Sequence, residues 1–299
     1  MAPTLAVDLG GTHMRCAAVD ASGQILARDE QPTPRDGRGP DVLVDLMASV
    51  HKEHPCSAAV VGVPGRVNYQ IGTLEYAPNL PAGWAQAITR DMLSTGIGID
   101  VALANDADLA AVGEAWFGAG RQYDDVVYLT LSTGVGAGVV LARRLLHGRR
   151  SLIEIGHTVV DLTAAIDGRP ATLEEHASGT AFLRLAGEAG LPATAPELDA
   201  AVRNADPATL VVWNHVVAAA AAGVVNLAWL FAPEVIVVGG GLGLIGDLLL
   251  DPLRTALATT GPPALHPPIR VMRAALGDDA GLTGAAAWGE AFHPEAAGA

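Results

Sequence analysis

Residues 5–19 read LAVDLGGTHMRCAAV, and residues 127–140 read VYLTLSTGVGAGVV. Each is an apolar run, a glycine-rich turn carrying a hydroxyl, and a second apolar run. A strand, a tight turn and its partner strand are the reading in both places. Neither is a dinucleotide-binding turn of the Rossmann type, because a strand and not a helix follows the glycines. From each hairpin the chain continues with alternating helical and extended patterns. The two halves therefore repeat one architecture, a duplication far longer than any solenoid period.

Working outward from the first hairpin, strands are expected at Leu5–Leu9, Met14–Asp20 and Gln24–Asp29, joined as a meander. Apolar residues at helical spacing predict a helix over Asp41–Glu53, and a buried strand follows at Ala58–Val63. One helix is expected over Trp84–Leu93, then a strand at Val101–Ala104 running into Asn105-Asp106-Ala107-Asp108 and a helix to about Gly118. In the second half the expected elements are a strand at Asp125–Leu131, a turn over Ser132–Gly138 and a strand at Val139–Ala142. Arg149–Glu174 reads as irregular. Helices are expected over Ser178–Gly190, Pro207–Phe231, Gly246–Thr259 and Ala280–Phe292, with strands at Val235–Val238 and Ile269–Arg273. The apolar region Val211–Val238 contains Asn214, His215, Asn226, Pro233 and Glu234, and reads as a buried helix followed by a buried strand rather than a membrane span. Strands alternating with helices imply α/β layers in two domains with a ligand cleft between them.

Composition narrows the chemistry. The 299 residues carry 18 basic and 32 acidic side chains, a net charge of −14, so nucleic acid and anionic membranes are disfavoured as partners. The two cysteines, Cys16 and Cys56, cannot make a disulfide framework or a four-cysteine metal site. Lys52 is the only lysine and no glycine-rich stretch flanks it, which excludes a Walker-type phosphate loop. The N-terminus lacks a basic stretch before an apolar core, so no targeting segment is expected and the expected compartment is the cytoplasm.

Bare glycine backbone lets N–H groups approach an anion. In the first turn Gly10, Gly11 and Thr12 supply such donors, and Asp8 at the strand end suits Mg2+ held through water. In the second, Thr133, Gly134 and Gly136 follow the same logic. A glycine pair in a hairpin also serves simply as a turn, so it is the pairing of two such turns in two halves that points to phosphate. Gly239, Gly240 and Gly241 after the strand Val235–Val238 read either as close helix–strand packing or as room for a nucleotide base or ribose.

These three turns, in this order, resemble the sugar kinase/actin/Hsp70 ATPase superfamily. More narrowly the chain resembles the ROK family, particularly its glucokinase-like members. The match rests on DLGGTHMR (8–15), GVPGRVN (62–68), APNLPAGW (77–84), NDADLAA (105–111), LSTGVGAGVV (131–140), EIGH (154–157), LEEHASG (173–179) and VIVVGGG (235–241). The resemblance implies two ribonuclease-H-like (actin-like ATPase) α/β domains around a central cleft. They are expected as 1–118, with the helix at about 280–299 packed back on it, and 119–279. Two features depart from the family pattern. Its CxCGxxGCxE zinc motif is replaced by DLTAAIDGRPATLE (161–174), which has no cysteine, so no zinc is expected although His157 is kept. His13 stands where lysine commonly follows GGT. The helix-turn-helix domain of the family's repressors is not expected, since the core begins at Leu5.

A sugar hydroxyl needs a base in line with the γ-phosphate, Mg2+ on the phosphates and donors for the developing charge. Asp106 matches the family's catalytic Asp; from position alone the commoner reading is an N-cap of the following helix. Asp108 reads as serving the helix start. Asn79, Asn105, Glu154, His157 and Glu174, with the backbone of Gly65, match positions that contact the hexose, and Asp106 shares that contact set. The function implied is ATP-dependent phosphorylation of a hexose, glucose at its 6-hydroxyl, by a cytoplasmic homodimer with ATP and Mg2+. A kinase for N-acetylmannosamine or a cyclitol and a sugar-sensing regulator without catalysis remain as alternatives.

Overall fold

The computed structural model describes residues 2–151, 153–192 and 194–293. The first elements are β1 (Thr4–Leu9), β2 (His13–Val19), β3 (Ile25–Pro32), α1 (Gly39–Glu53), β4 (Ala58–Val63), β5 (Arg66–Asn68) and β6 (Thr73–Tyr76). They are followed by α2 (Trp84–Ala87), α3 (Arg90–Ile97), β7 (Val101–Asn105) and α4 (Asp106–Trp116). The second half contains β8 (Val126–Leu131), β9 (Val135–Leu141), β10 (Arg144–Leu145), α5 (Leu162–Ile166), α6 (Leu173–Ala177), α7 (Gly179–Glu188), α8 (Ala195–Arg203) and α9 (Pro207–Phe231). It ends with β11 (Val235–Gly239), α10 (Gly240–Gly243), α11 (Asp247–Thr260), β12 (Arg270–Arg273) and α12 (Ala280–Ala291).

The duplication is written in the sheets. The first has strand order β3-β2-β1-β4-β7 and the second β10-β9-β8-β11-β12. In both, a meander is extended by parallel strands: β1 pairs parallel with β4 and β4 with β7, while β8 pairs parallel with β11 and β11 with β12. This is the α/β, ribonuclease-H-like order expected from the sequence.

By contact density the chain divides into two units. The first comprises residues 1–124, 138–152 and 278–299, the second 125–137 and 153–277. The core of the first unit is built on Leu5, Val7, Leu9, Val61 and Val63 of the sheet and Leu43, Met47 and Leu93 of the helices, all buried. In the same unit α12 crosses α4 closely. A Cβ on Gly284 would strike the carbonyl of Leu109, and one on Gly113 that of Ala280. In the second unit α9 buries Val212, Trp213, Val216, Val217, Ala220, Val224 and Leu227. By length and composition this helix could cross a membrane, but that spacing is the face of a helix packed on a core.

Several expectations need correction. The helix expected over Trp84–Leu93 is two helices, because Thr89 is extended and its side chain caps α3 by accepting from Met92 N at 3.2 Å. The hairpin β5–β6 and helix α8 went unread. The second glycine turn is shorter than Ser132–Gly138: Ser132 N donates to Gly134 O at 2.9 Å, and β9 starts at Val135. The stretch read as irregular contains α5, whose first turn is capped by Asp161 accepting from Ala164 N at 2.9 Å.

Candidate active site

In the first unit, the parallel strands deliver Asp8, Gly62 and Asn105 to one end of the sheet, since Asp8 pairs with Gly62 and Val63 with Asn105. The glycine hairpin beside Asp8 is closed by Gly10 N donating to His13 O at 2.9 Å. Thr33, not singled out in the sequence, braces it from below: its hydroxyl donates to Gly10 O at 2.6 Å and its N–H to Thr12 O at 2.8 Å. Gly11 packs on Asn79, so close that a Cβ would sit 2.9 Å from the Asn79 carbonyl oxygen. Gly10, Gly11, Thr12 and Asn79 are therefore one constellation.

Asp8 lies in that constellation with Arg15, its Oδ2 being 3.8 Å from Arg15 Nε. Burial pushes its carboxyl above the ordinary range; the Arg15 guanidinium opposes the shift and the neighbouring Asp278 carboxylate adds to it. Arg15 also donates to Asp278 O at 3.1 Å. A buried carboxylate beside a phosphate-type turn, with a second carboxylate close by, fits a hydrated Mg2+, whose charge would offset the burial of Asp8. Asp278 was missed because it lies at the other end of the chain, just before α12.

Asn105 and Asp106 sit where β7 becomes α4. Asn105, not Asp106, caps the helix: its Oδ1 accepts from Ala107 N at 3.0 Å and Asp108 N at 3.1 Å. Its Nδ2 donates to Gly65 O at 2.9 Å. One amide thus joins two predicted residues, Asn105 and Gly65, with a second Nδ2–H able to serve a ligand. Asp106 is exposed at the first helical position, its Oδ1 accepting from Ala107 N at 2.8 Å. Asp108 lies in the first turn of α4, as expected, but its carboxylate also meets a partner from elsewhere in the chain. It is buried and accepts the Tyr69 hydroxyl at Oδ2, 2.6 Å away. Tyr69 also accepts from Asn105 N at 3.2 Å. Desolvation, then the Asp108 carboxylate, drive the Tyr69 phenol well above its ordinary range, so it stays a donor.

In the second unit, Ser132, Thr133 and Gly134 form the glycine turn. Thr180 Oγ1 donates to Thr133 O at 2.8 Å and Gly179 N to Ser132 O at 2.6 Å, fastening the turn to the start of α7. Gly136 is not a turn residue: it lies inside β9. Glu174 lies against Gly134, and its Oε2 accepts from Val135 N at 2.8 Å. Glu154 precedes the short helical turn Ile155–His157 and His157 ends it, with Nε2 of His157 3.9 Å from Oε2 of Glu154. After β11 the three glycines differ. Gly239 packs on the Tyr128 ring, and Gly240 has φ +78° with a Cβ position blocked by the Leu131 backbone, so packing explains both. A Cβ on Gly241 would meet only open space.

At the family's zinc position His157 is kept and residues 161–174 carry no cysteine. The segment is held by protein groups. Val160 N donates to Ala171 O at 2.9 Å and Leu173 N to Thr158 O at 2.9 Å. Thr172 and Glu175 form a capping box at the start of α6. His176 Nδ1 is 2.9 Å from His215 Nε2 on α9, and His176 Nε2 is 3.0 Å from Pro170 O. Arg169 pairs with nearby Asp167 at 2.9 Å, both exposed, and its charge also helps to lower the Asp161 carboxyl.

The model of the ROK family matches residues 4–291. A glucokinase of Thermotoga maritima is 34% identical, the match covering 94% of this chain and 95% of that one. An N-acetyl-D-glucosamine kinase of Escherichia coli is 31% identical, covering 93% of this chain and 96% of that one. Among solved structures, a ROK family glucokinase from Streptomyces griseus in complex with glucose and AMPPNP superposes with a TM-score of 0.79 at 32% identity, covering 95% of this chain and 98% of that one. Matched over nearly its whole length, the chain belongs to the ROK family.

Proposed function

We propose that this ROK-family sugar kinase transfers the γ-phosphoryl group of ATP to the 6-hydroxyl of an aldohexose, with glucose as its substrate. The observation that carries the reading is the Asn105–Asp106 turn. Asn105 fixes the helix end and Gly65, and so presents the exposed Asp106 carboxylate at a rigid position. There Asp106 takes the proton of the attacking hydroxyl, which a neutral sugar cannot lose unaided at pH 7. Asn79, Asn105, Glu154, His157 and Glu174, with Gly65 backbone, are assigned to the sugar hydroxyls. Backbone N–H groups of Gly10, Gly11, Thr12 and Gly134, with the Thr133 hydroxyl, are assigned to phosphate oxygens, and Gly241 to the nucleotide. Asp8 would hold Mg2+ through water, with Asp278 beside it; when bound with ATP the ion supplies charge neutralisation on the phosphates. The working form is taken as a cytoplasmic homodimer.

A coupled assay with glucose, mannose, N-acetylglucosamine, N-acetylmannosamine, fructose and allose tests this. Turnover of glucose with a kcat/KM above all others is expected. A second reading, an N-acetylhexosamine kinase, is supported by the 31% identity to the Escherichia coli enzyme. Turnover of an N-acetylated sugar with none of glucose selects it, and no turnover of any sugar overturns both.

A further inference from the structure

A cavity of about 920 Å3 lies wholly within the first unit and is not the site described above. It opens on the starts of the parallel strands, at Thr4, Ala58 and Asp100, whereas Asp8 lies near the far end of β1 and Gly65 and Asp106 lie past the far ends of β4 and β7. That volume is of the size that takes a small organic ligand. Its aromatic wall is continuous. Trp288 and Phe292 stack at 4.9 Å with an 11° angle, His147 stacks on Phe292 at 4.2 Å, and Tyr69 meets Phe292 edge-on at 5.1 Å. All four of these residues line the cavity, together with Arg90 and Arg149. Asp100 is the one acidic group in the lining, and Arg90 also faces Asp91, 3.5 Å away.

We propose that this cavity binds a planar aromatic anion, a ring system bearing a carboxylate or phosphate, and that its occupant acts on the Asn105–Asp108 turn through Tyr69. Rings prefer to stack on rings, and a guanidinium pairs best with a planar or tetrahedral oxyanion. Arg149 is exposed and reaches the cavity mouth from the loop that carries His147. The coupling is built in. Tyr69 lines the cavity with its ring while its hydroxyl holds both Asp108 Oδ2 and Asn105 N. Leu103, which also lines the cavity, precedes Asn105 by two residues, about 7 Å of strand. A ligand that shifts the Tyr69 ring must therefore lengthen or strengthen the two hydrogen bonds that set the turn.

The test uses the intact protein with indole-3-acetate and 1-naphthyl phosphate as probes and neutral indole as comparator. Binding is followed by calorimetry without sugar or ATP, so this arm does not depend on the kinase reading. Saturable binding of an anionic probe is expected, roughly tenfold tighter than indole and roughly tenfold weakened by Arg149→Ala or Arg90→Ala. No saturable binding up to millimolar concentration, or binding that ignores both arginine substitutions, overturns the site. The second arm rests on Asp106 as the base. A saturating probe is expected to change kcat at least about twofold in the wild type and not in Tyr69→Phe, which keeps the ring and loses the hydroxyl. Binding without any change in kcat, or an equal change in Tyr69→Phe, overturns the coupling and leaves the base assignment untouched.

Discussion

The side-chain amide of Asn105 donates to the carbonyl oxygen of Gly65 at 2.9 Å, while its oxygen caps helix α4 through Ala107 N and Asp108 N. One residue thus ties the loop after β4 to the helix that begins with Asp106. The two halves of this amide are separable by mutation. Asn105→Asp keeps the cap and loses the donor; it should leave thermal stability nearly unchanged and lower kcat/KM. Asn105→Ala loses both, and should cost about 1 kcal/mol of stability from the cap alone. Thermal melts alongside the coupled assay check this; equal melting losses in both variants would contradict it.

Asp106→Asn retains shape and hydrogen-bonding reach but removes the base. Turnover should drop by about 100- to 10,000-fold, the usual worth of a positioned base. Calorimetric sugar affinity should stay within a few-fold of wild type. A variant with near-normal kcat would remove Asp106 from the chemistry.

Asp8 should show a conflict between function and stability. Burial raises its carboxyl, so the folded state holds the proton more tightly than the unfolded chain does. The neutral acid is thus compatible with folding. As pH rises through the folded value, ionisation withdraws stability. Asp8→Asn should therefore melt higher than wild type at pH 7 and lose Mg-dependent turnover. A lower melting temperature would show that its pairing with Arg15 outweighs its burial.

His176 and His215 share one hydrogen bond between ring nitrogens. Desolvation, then His176 and Arg184, lower the His215 value, with Asp161 opposing. A histidine held below its unfolded value stabilises the fold above about pH 6.5 and loses that contribution as pH falls through the folded value. Stability should decline over that window, and His215→Gln should flatten the profile. An unchanged profile in the variant would assign the decline to other groups.

The last glycine turn yields a paired prediction. Gly240→Ala should cost roughly 1–3 kcal/mol for the left-handed backbone, with more from the clash with Leu131. Gly241→Ala faces open space, and should fold normally while raising the KM for ATP. By contrast Arg169→Ala, which removes an exposed pair with Asp167, should change stability by less than about 0.5 kcal/mol.

What the sequence determined by itself is local. Strand after glycine turn after strand, written twice, is readable because alternation, turn residues and helical spacing act over a few residues. That was enough for the duplicated α/β order, for most helices and for the Asn105-Asp106 position between a strand and a helix. It failed where local signals are ambiguous. The glycines of 134–138 looked like one long turn, yet a strand absorbs Gly136 and Gly138 because β9 can pair there. Partner choice belonged to the tertiary structure. Nothing near Asp108 in the chain announces that Tyr69 takes its carboxylate, nor that Asp278 comes beside Asp8, nor that Glu174 bonds Val135 N. Buried polar groups must find a partner wherever packing puts one, and packing joins segments far apart in sequence.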